Sequence, residues 1–206
     1  MALPPPENAP PDLLSPVVAP WVPKLFTVAD LAVLPSDLPS GPVLYELDNG
    51  RLITMPPAGD LHGAIETKFA GALLYEGEKR GLGKARCGEV GIILWRNPDR
   101  VVGADAVFIA NSSLPLRQSP EGYLETIPDL VVEIRSKNDT LAFVQRKVED
   151  YLTAGVRVVW VADPDKRSVT AHRRGQEPQV FSESDTLTVE EIIPGFKLLV
   201  KEIFEG

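Results

Sequence analysis

Two apolar segments separated by a helical pattern constrain the fold more than any other feature of this sequence. Residues 127–134 form a compact apolar segment that ends in charge, and residues 156–162 form a continuous apolar run typical of a buried strand. The intervening segment 139–154 has helical spacing, and Gly155 follows it as a C-terminal cap. Such a strand–helix–strand unit predicts two parallel strands joined by a right-handed crossover.

The first half of the chain supplies further strand and helix patterns. In chain order these are a short helix that begins with a capping box at Thr27, strands at 43–47 and 51–55, a helix at 60–80, and strands at 84–90, 92–95 and 101–109. Asn49-Gly50 between the first two strands supplies the positive φ angles of a tight hairpin turn. We therefore expect an α/β domain with a mixed central sheet, flanking helices and an N-terminal hairpin.

Composition predicts one folded unit preceded by an arm. Residues 1–24 contain eight prolines and almost no charge, which favours an extended or disordered arm, and residues 25–206 are long enough for a single domain. A single cysteine excludes an internal disulfide framework and indicates a reducing setting. No apolar run reaches the length of a membrane span, and the N-terminus lacks the features of a signal peptide, so a cytoplasmic location is expected.

The net charge and the absence of several sequence motifs exclude some classes of activity. A net charge of −8 is unusual for a protein that binds duplex nucleic acid through a basic face, although clustered acids can also be metal ligands. The sequence contains no glycine-rich phosphate loop, no GxSxG elbow and no paired CxxC motif. Nucleotide hydrolysis, serine esterase chemistry and a zinc ribbon therefore have no support.

Three acidic residues lie within or at the ends of apolar strand patterns: Glu46, Asp105 and Glu133. A carboxylate in such a position is unfavourable unless it is paired, protonated or bound to a cation. A single acid of this kind can simply pair with an arginine, and for Glu46 both readings stay open. For Asp105 and Glu133 together we favour a divalent cation such as Mg²⁺ or Mn²⁺, for which carboxylate oxygens are suitable ligands.

Several cations could assist such a centre. Arg135 shares a strand face with Glu133 and is a good phosphate clamp but a poor base, and Lys137 lies closer to the loop. Lys147 follows the buried edge of the predicted helix, where it could reach the carboxylates or could extend its aliphatic stem over apolar surface. His62, at the start of the first long helix, is interpreted as a structural residue, because only two histidines are present.

The order and spacing of several short motifs resemble the Uma-two family of endonucleases, which belongs to the PD-(D/E)XK restriction-endonuclease-like group. The resemblance covers residues 25 to 205. Its motifs are Tyr45-Glu-Leu with Gly50, Met55-Pro-Pro, Arg80-Gly-Leu-Gly, Asp105, the segment from Pro128 through Glu133 to Ser136, Lys147 with Tyr151, Gly155 and Trp160, Asp163-Pro, and Pro194-Gly-Phe.

The resemblance implies a fold, an activity and a set of roles. Asp105 corresponds to the acid of the "PD" element and Glu133 to the acid of the "(D/E)XK" element, and both would bind Mg²⁺ (or Mn²⁺) with the help of the Ile134 carbonyl. Arg135 stands where the family pattern has lysine, so the lysine function is expected to have moved to Lys147. Glu46 would be a helper acid near the metal or its water.

The sequence therefore predicts a metal-dependent endonuclease that acts on DNA. Asp105 and Glu133 would hold the metal, Lys147 would position the water or stabilise charge, Glu46 would assist, and Arg135 or Lys137 would clamp the phosphate. A homodimer is expected by analogy with this group of folds. Two alternatives stay open: a non-catalytic binding or assembly module with the nuclease fold, and a structural domain whose acids all pair with arginines.

Overall fold

The computed structural model of the chain describes residues 24–137 and 139–205. The proline-rich segment 1–24 lies outside these residues except for Lys24, so its disorder and the domain boundary at residue 25 stay predictions. None of the helices in the described ranges is both long and apolar enough to cross a membrane.

Four α-helices and twelve strands make up the described fold. The helices are α1 (Val28–Leu31), α2 (Asp60–Leu73), α3 (Leu141–Ala154) and α4 (Val200–Ile203), and a π-helical turn, Leu74–Glu78, continues α2. The strands are β1 (Asp37–Leu38), β2 (Gly41–Pro42), β3 (Leu44–Asp48), β4 (Arg51–Met55), β5 (Gly83–Trp95), β6 (Arg100–Ala110), β7 (Leu130–Ile134), β8 (Val158–Asp163), β9 (Ser168–Arg173), β10 (Gln179–Phe181), β11 (Thr186–Leu187) and β12 (Leu198–Leu199).

Local sequence signals explain where these elements begin and end. Thr27 forms the predicted capping box at α1, and the hydroxyl of Thr140 accepts a hydrogen bond from the backbone of Phe143 at the start of α3. Gly155 ends α3 with a φ of 114°, and Asn49 adopts a φ of 51° in the β3–β4 hairpin. The elements that frame the candidate site are therefore specified locally.

The central sheet has eight strands in the order β10-β9-β8-β7-β6-β3-β4, with β5 paired to β6. The β7–β8 pair, which α3 connects, is parallel as predicted, and its neighbours are antiparallel. The apolar residues of α2 pack in the core cluster on one face of the sheet, and those of α3 pack in the core cluster on the other face. The predicted α/β class with a mixed sheet and flanking helices is confirmed.

Candidate functional site

The central strand β6 pairs with two different strands along one of its edges, and we call the gap between these two pairings the fork. Along one edge it pairs with β5 from end to end, whereas along the other it pairs with β3 at Val101 and then with β7 at residues 106–108. Between these two contacts, side chains bind the strand instead. Glu46 accepts a hydrogen bond from the Gly103 N–H at 2.9 Å, and Lys147 donates to the Gly103 carbonyl at 3.1 Å. The fork thus brings charged groups into the interior.

Asp105 lies at this fork and is 4% exposed. One carboxylate oxygen accepts a hydrogen bond from the backbone N–H of Ile134 at 2.5 Å, and the other lies 2.8 Å from Nε2 of His62. The register of β6 and β7, extended by one residue, places Asp105 opposite Glu133. The two acids predicted to act together therefore lie on adjacent strands at one cavity.

A bulge in β5 faces the same position. The β5–β6 register shifts between Cys87 and Val90, where Gly88 and Glu89 have positive φ angles of 87° and 54°. The carboxylate of Glu66 accepts a hydrogen bond from the Gly88 N–H at 2.6 Å and so holds the bulge. This departure from regular pairing directs the Glu89 side chain toward the fork.

The side chains of His62, Glu89 and Asp105 meet at the fork, with one donor atom of each within 4.8 Å of the others. Burial raises the pKa of Glu89 to about 7, and the negative charge of Asp105 adds to that effect. The hydrogen bond with Asp105 raises the pKa of His62 against the opposing effect of burial. One nitrogen and two carboxylates thus converge at a single point, as in a divalent metal centre.

Two residues of α3 hold the Glu133 carboxylate. Tyr151 donates a hydrogen bond to one oxygen at 2.5 Å, and Lys147 lies 2.9 Å from the other, because residues four apart share one helix face. Burial raises the pKa of Glu133 to about 8, and Asp105 also raises it, whereas Lys147 opposes both. Burial alone would lower the pKa of Lys147, but Glu133 and Glu46 outweigh it and raise that pKa, so Lys147 is a cation.

Glu46 lies behind Lys147 and not at the cavity wall. It is fully buried, and one oxygen lies 3.2 Å from the Lys147 ammonium while the other lies 3.6 Å from the guanidinium of Arg100. Arg100 is itself 2% exposed and forms a 2.7 Å ion pair with Asp150 of α3. This chain of alternating charges fixes Lys147 between two carboxylates.

A cavity of about 500 Å³ opens in front of these groups. Its apolar wall includes the Met55-Pro56-Pro57 segment, Leu61 and Phe143. Acidic residues in the wall outnumber basic ones. The acidic residues are Asp60, Glu89, Asp105, Glu133, Asp139, Asp163 and Asp165, and the basic residues are Arg135, Lys137 and Lys147. A phosphate group could enter so acidic a space only together with cations.

The remaining predicted residues lie along the same cavity. Arg135 follows the end of β7, and its guanidinium binds Asp163 at 2.5 Å. Lys137 is exposed at the rim. Ile134 contributes its backbone N–H to Asp105, and a role for its carbonyl as a metal ligand stays a prediction.

Neither His62 nor Glu89 was predicted to be a site residue. His62 was interpreted as structural, yet its ring contacts Asp105 directly. Glu89 fell inside the predicted strand 84–90, and Gly88 beside it was the available signal, since a glycine inside a strand pattern often marks a bulge. Nothing in the sequence indicated which side chain that bulge would present.

The reading of the acids as arginine-paired structural residues does not fit the geometry. In residues 24–137 and 139–205, neither Asp105 nor Glu133 forms an ion pair with an arginine. Their partners are His62 and Lys147. Glu46, by contrast, does lie near Arg100.

Comparisons with known proteins agree with this architecture. The profile of the Uma2 family, described as "Putative restriction endonuclease", matches residues 32–201. A crystal structure of a "putative nuclease belonging to DUF820" from Anabaena variabilis ATCC 29413 has a TM-score of 0.69 and 21% identity, covering 87% of this chain and 97% of that chain. At this identity the match shows the fold alone. No curated protein sequence is significantly similar.

Proposed function

Since the chain belongs to the Uma2 family, we propose that it is a nuclease that hydrolyses phosphodiester bonds of DNA with the help of a divalent cation. The observation that carries the proposal is the convergence of His62, Glu89 and Asp105 beside the Lys147 ammonium. Three candidate ligands and one buried cation at the wall of a single cavity are the parts that metal-assisted phosphoryl transfer requires.

The residues present fit a divalent cation. Glu89 and Asp105 are two buried or half-buried carboxylates within reach of one imidazole nitrogen, and burial together with the negative charge of Asp105 raises the pKa of Glu89, so that additional positive charge would stabilise its ionised form. A cation between them would supply that charge. Both oxygens of Glu133 are bonded to Tyr151 and Lys147, so Glu133 would join the coordination only through its remaining lone pairs.

When bound, a divalent cation would act as a Lewis acid toward a phosphoryl oxygen and would lower the pKa of a nearby water. The residues of the chain do the remaining work. Lys147 would stabilise the negative charge that grows on the phosphoryl group, and Glu133 with Tyr151 would fix the direction of its ammonium. Glu46 acts from behind, by holding Lys147 in place.

Metal dependence is the first expected outcome. Purified protein should cleave fluorescein-labelled duplex or single-stranded DNA when Mn²⁺ or Mg²⁺ is supplied, should lose that activity in excess EDTA, and should regain it when Mn²⁺ is restored. Cleavage must co-elute with the protein in size-exclusion chromatography and must be absent from a mock purification. Cleavage that persists in EDTA would contradict the proposed chemistry.

Lys137 at the rim is proposed to contact the substrate phosphate, and Arg135 would assist if it leaves Asp163. We expect Lys137→Ala to raise KM about fivefold with little change in kcat, because an exposed phosphate contact contributes about 1 kcal/mol to binding. The salt dependence of binding should also become shallower.

Steady-state kinetics at two salt concentrations would measure both effects. Lys201→Ala, which removes an exposed lysine of α4, is the matched control and should leave KM unchanged. A fall in kcat for Lys137→Ala with KM unaltered would assign this lysine to the chemical step instead.

A further inference from the structure

The candidate metal centre of the proposed nuclease contains a nitrogen donor. Nε2 of His62 lies 2.8 Å from Asp105 and belongs to the group of donor atoms that includes Glu89. Its ring is held by the first turn of α2, and its side chain is 13% exposed. The ring therefore forms part of the cavity wall and is not an exposed surface group.

The chemistry of this donor set discriminates among cations. Mg²⁺ is a hard ion that prefers an octahedron of oxygen atoms and retains several of its waters. Imidazole nitrogen suits the first-row transition metals, whose affinity for nitrogen-containing sites rises from Mn²⁺ along the series. A set with one nitrogen and two carboxylates combines the oxygen ligands that Mn²⁺ accepts with a ligand that Mg²⁺ rarely takes.

On the basis of the proposed function, we propose that His62 is a metal ligand and that it makes the centre selective for Mn²⁺, or a related transition metal ion, over Mg²⁺. The competing interpretation is that His62 only forms an ion pair with Asp105 and withdraws when a cation binds. The two interpretations differ in whether nitrogen is bound to the metal.

Pulsed electron paramagnetic resonance can detect that bond directly. The chain has two histidines, His62 and His172, and His172 lies in β9, outside the cavity wall. In tag-free protein loaded with Mn²⁺, the spin-echo envelope should show modulation from an imidazole nitrogen. This modulation should disappear in His62→Gln and persist in the matched control His172→Gln.

Calorimetric titration with Mn²⁺ and with Mg²⁺ measures the selectivity. We expect the wild type to bind Mn²⁺ at least about tenfold more tightly than Mg²⁺, and His62→Gln to lose most of this difference, since even the groups that orient metal ligands change metal affinity by about 10–100-fold. His172→Gln, which changes the histidine outside the cavity wall, should preserve the ratio. Circular dichroism in EDTA would establish that each variant is folded.

Equal affinity of the wild type for the two ions, absent nitrogen modulation, or unchanged modulation in His62→Gln would each overturn the inference. These measurements need no substrate, so they separate it from the proposed activity. A protein that binds Mn²⁺ through His62 but cleaves no DNA would retain the metal site and refute the nuclease. Metal-dependent cleavage of DNA by a protein whose bound Mn²⁺ shows no nitrogen ligand would retain the nuclease and refute the role of His62.

Discussion

Replacing Asp105 by asparagine is expected to reduce the rate of DNA cleavage by about 1,000-fold, equivalent to about 4 kcal/mol of transition-state stabilisation. Asparagine can still accept the hydrogen bond from the Ile134 N–H, so the shape of the fork is preserved. What is lost is the central negative charge, which lies next to His62 and Glu89. Cation binding should weaken along with activity.

The stability of Asp105→Asn distinguishes lost chemistry from misfolding. Removal of the Asp105 charge relieves its repulsion with Glu89 but also removes the ion pair with His62. Because these two effects oppose each other, the free energy of unfolding in EDTA should change by no more than about 1 kcal/mol. Asp165→Asn removes an exposed carboxylate from the same cavity wall and is the matched control, which should cleave like the wild type. Full cleavage by Asp105→Asn would refute the assignment of this site.

The substitution Lys147→Met is expected to have the second largest effect, on stability as well as activity. Methionine keeps most of the length of the side chain but leaves the buried Glu46 with only its Gly103 hydrogen bond and the Arg100 guanidinium at 3.6 Å. Breaking a buried ion pair from one side destabilises a protein by about 3 kcal/mol or more. Loss of the lysine would raise the pKa of Glu133 further, because Lys147 lowers it in the wild type, and protonation of Glu133 would remove only part of the destabilisation. Cleavage should fall about 100-fold.

Urea unfolding and cleavage assays on neighbouring variants would identify the cause. Arg146→Met removes the adjacent cation, which is largely exposed and paired with Asp48, and should change stability by less than about 0.5 kcal/mol. Lys147→Arg should recover stability but not activity, because a planar guanidinium does not reproduce a compact ammonium.

A double variant tests the coupling between Lys147 and Glu46. The double variant that combines Glu46→Gln with Lys147→Met should destabilise the protein less than the sum of the single changes. In the double variant both charges of this contact are removed together, so neither partner is left as an uncompensated charge. Strict additivity would mean that Glu46 does not hold Lys147, and the positioning role proposed for Glu46 would fail.

Much of the scaffold could be predicted because its signals are local. The capping box at Thr27, the Asn49-Gly50 turn and the Gly155 cap each depend on a few consecutive residues, and each is found where it was predicted. The strand–helix–strand unit followed from periodicity, and the parallel pairing of β7 with β8 confirms it. The long strand β5 was predicted as two pieces that divide at Gly91, whereas the structure continues the strand through Gly91 and places its bulge at Gly88 and Glu89.

The site itself was predicted only in part. Asp105, Glu133 and Lys147 were chosen because charged residues within or beside apolar patterns are unfavourable without partners, and all three lie at one cavity. The expectation of a homodimer and the choice of DNA as substrate stay predictions. His62 and Glu89 were missed, since each is unremarkable within its own segment.

Local sequence patterns were enough to predict most of the strands and helices, because periodicity, caps and turns act over a few residues. The meeting of a helix N-terminus, a strand bulge and a fork in the sheet at Asp105 follows from three-dimensional packing alone. Such meetings depend on contacts between residues far apart in the chain, and no local pattern records them. The same long-range packing placed Glu46 behind Lys147 and not at the cavity wall.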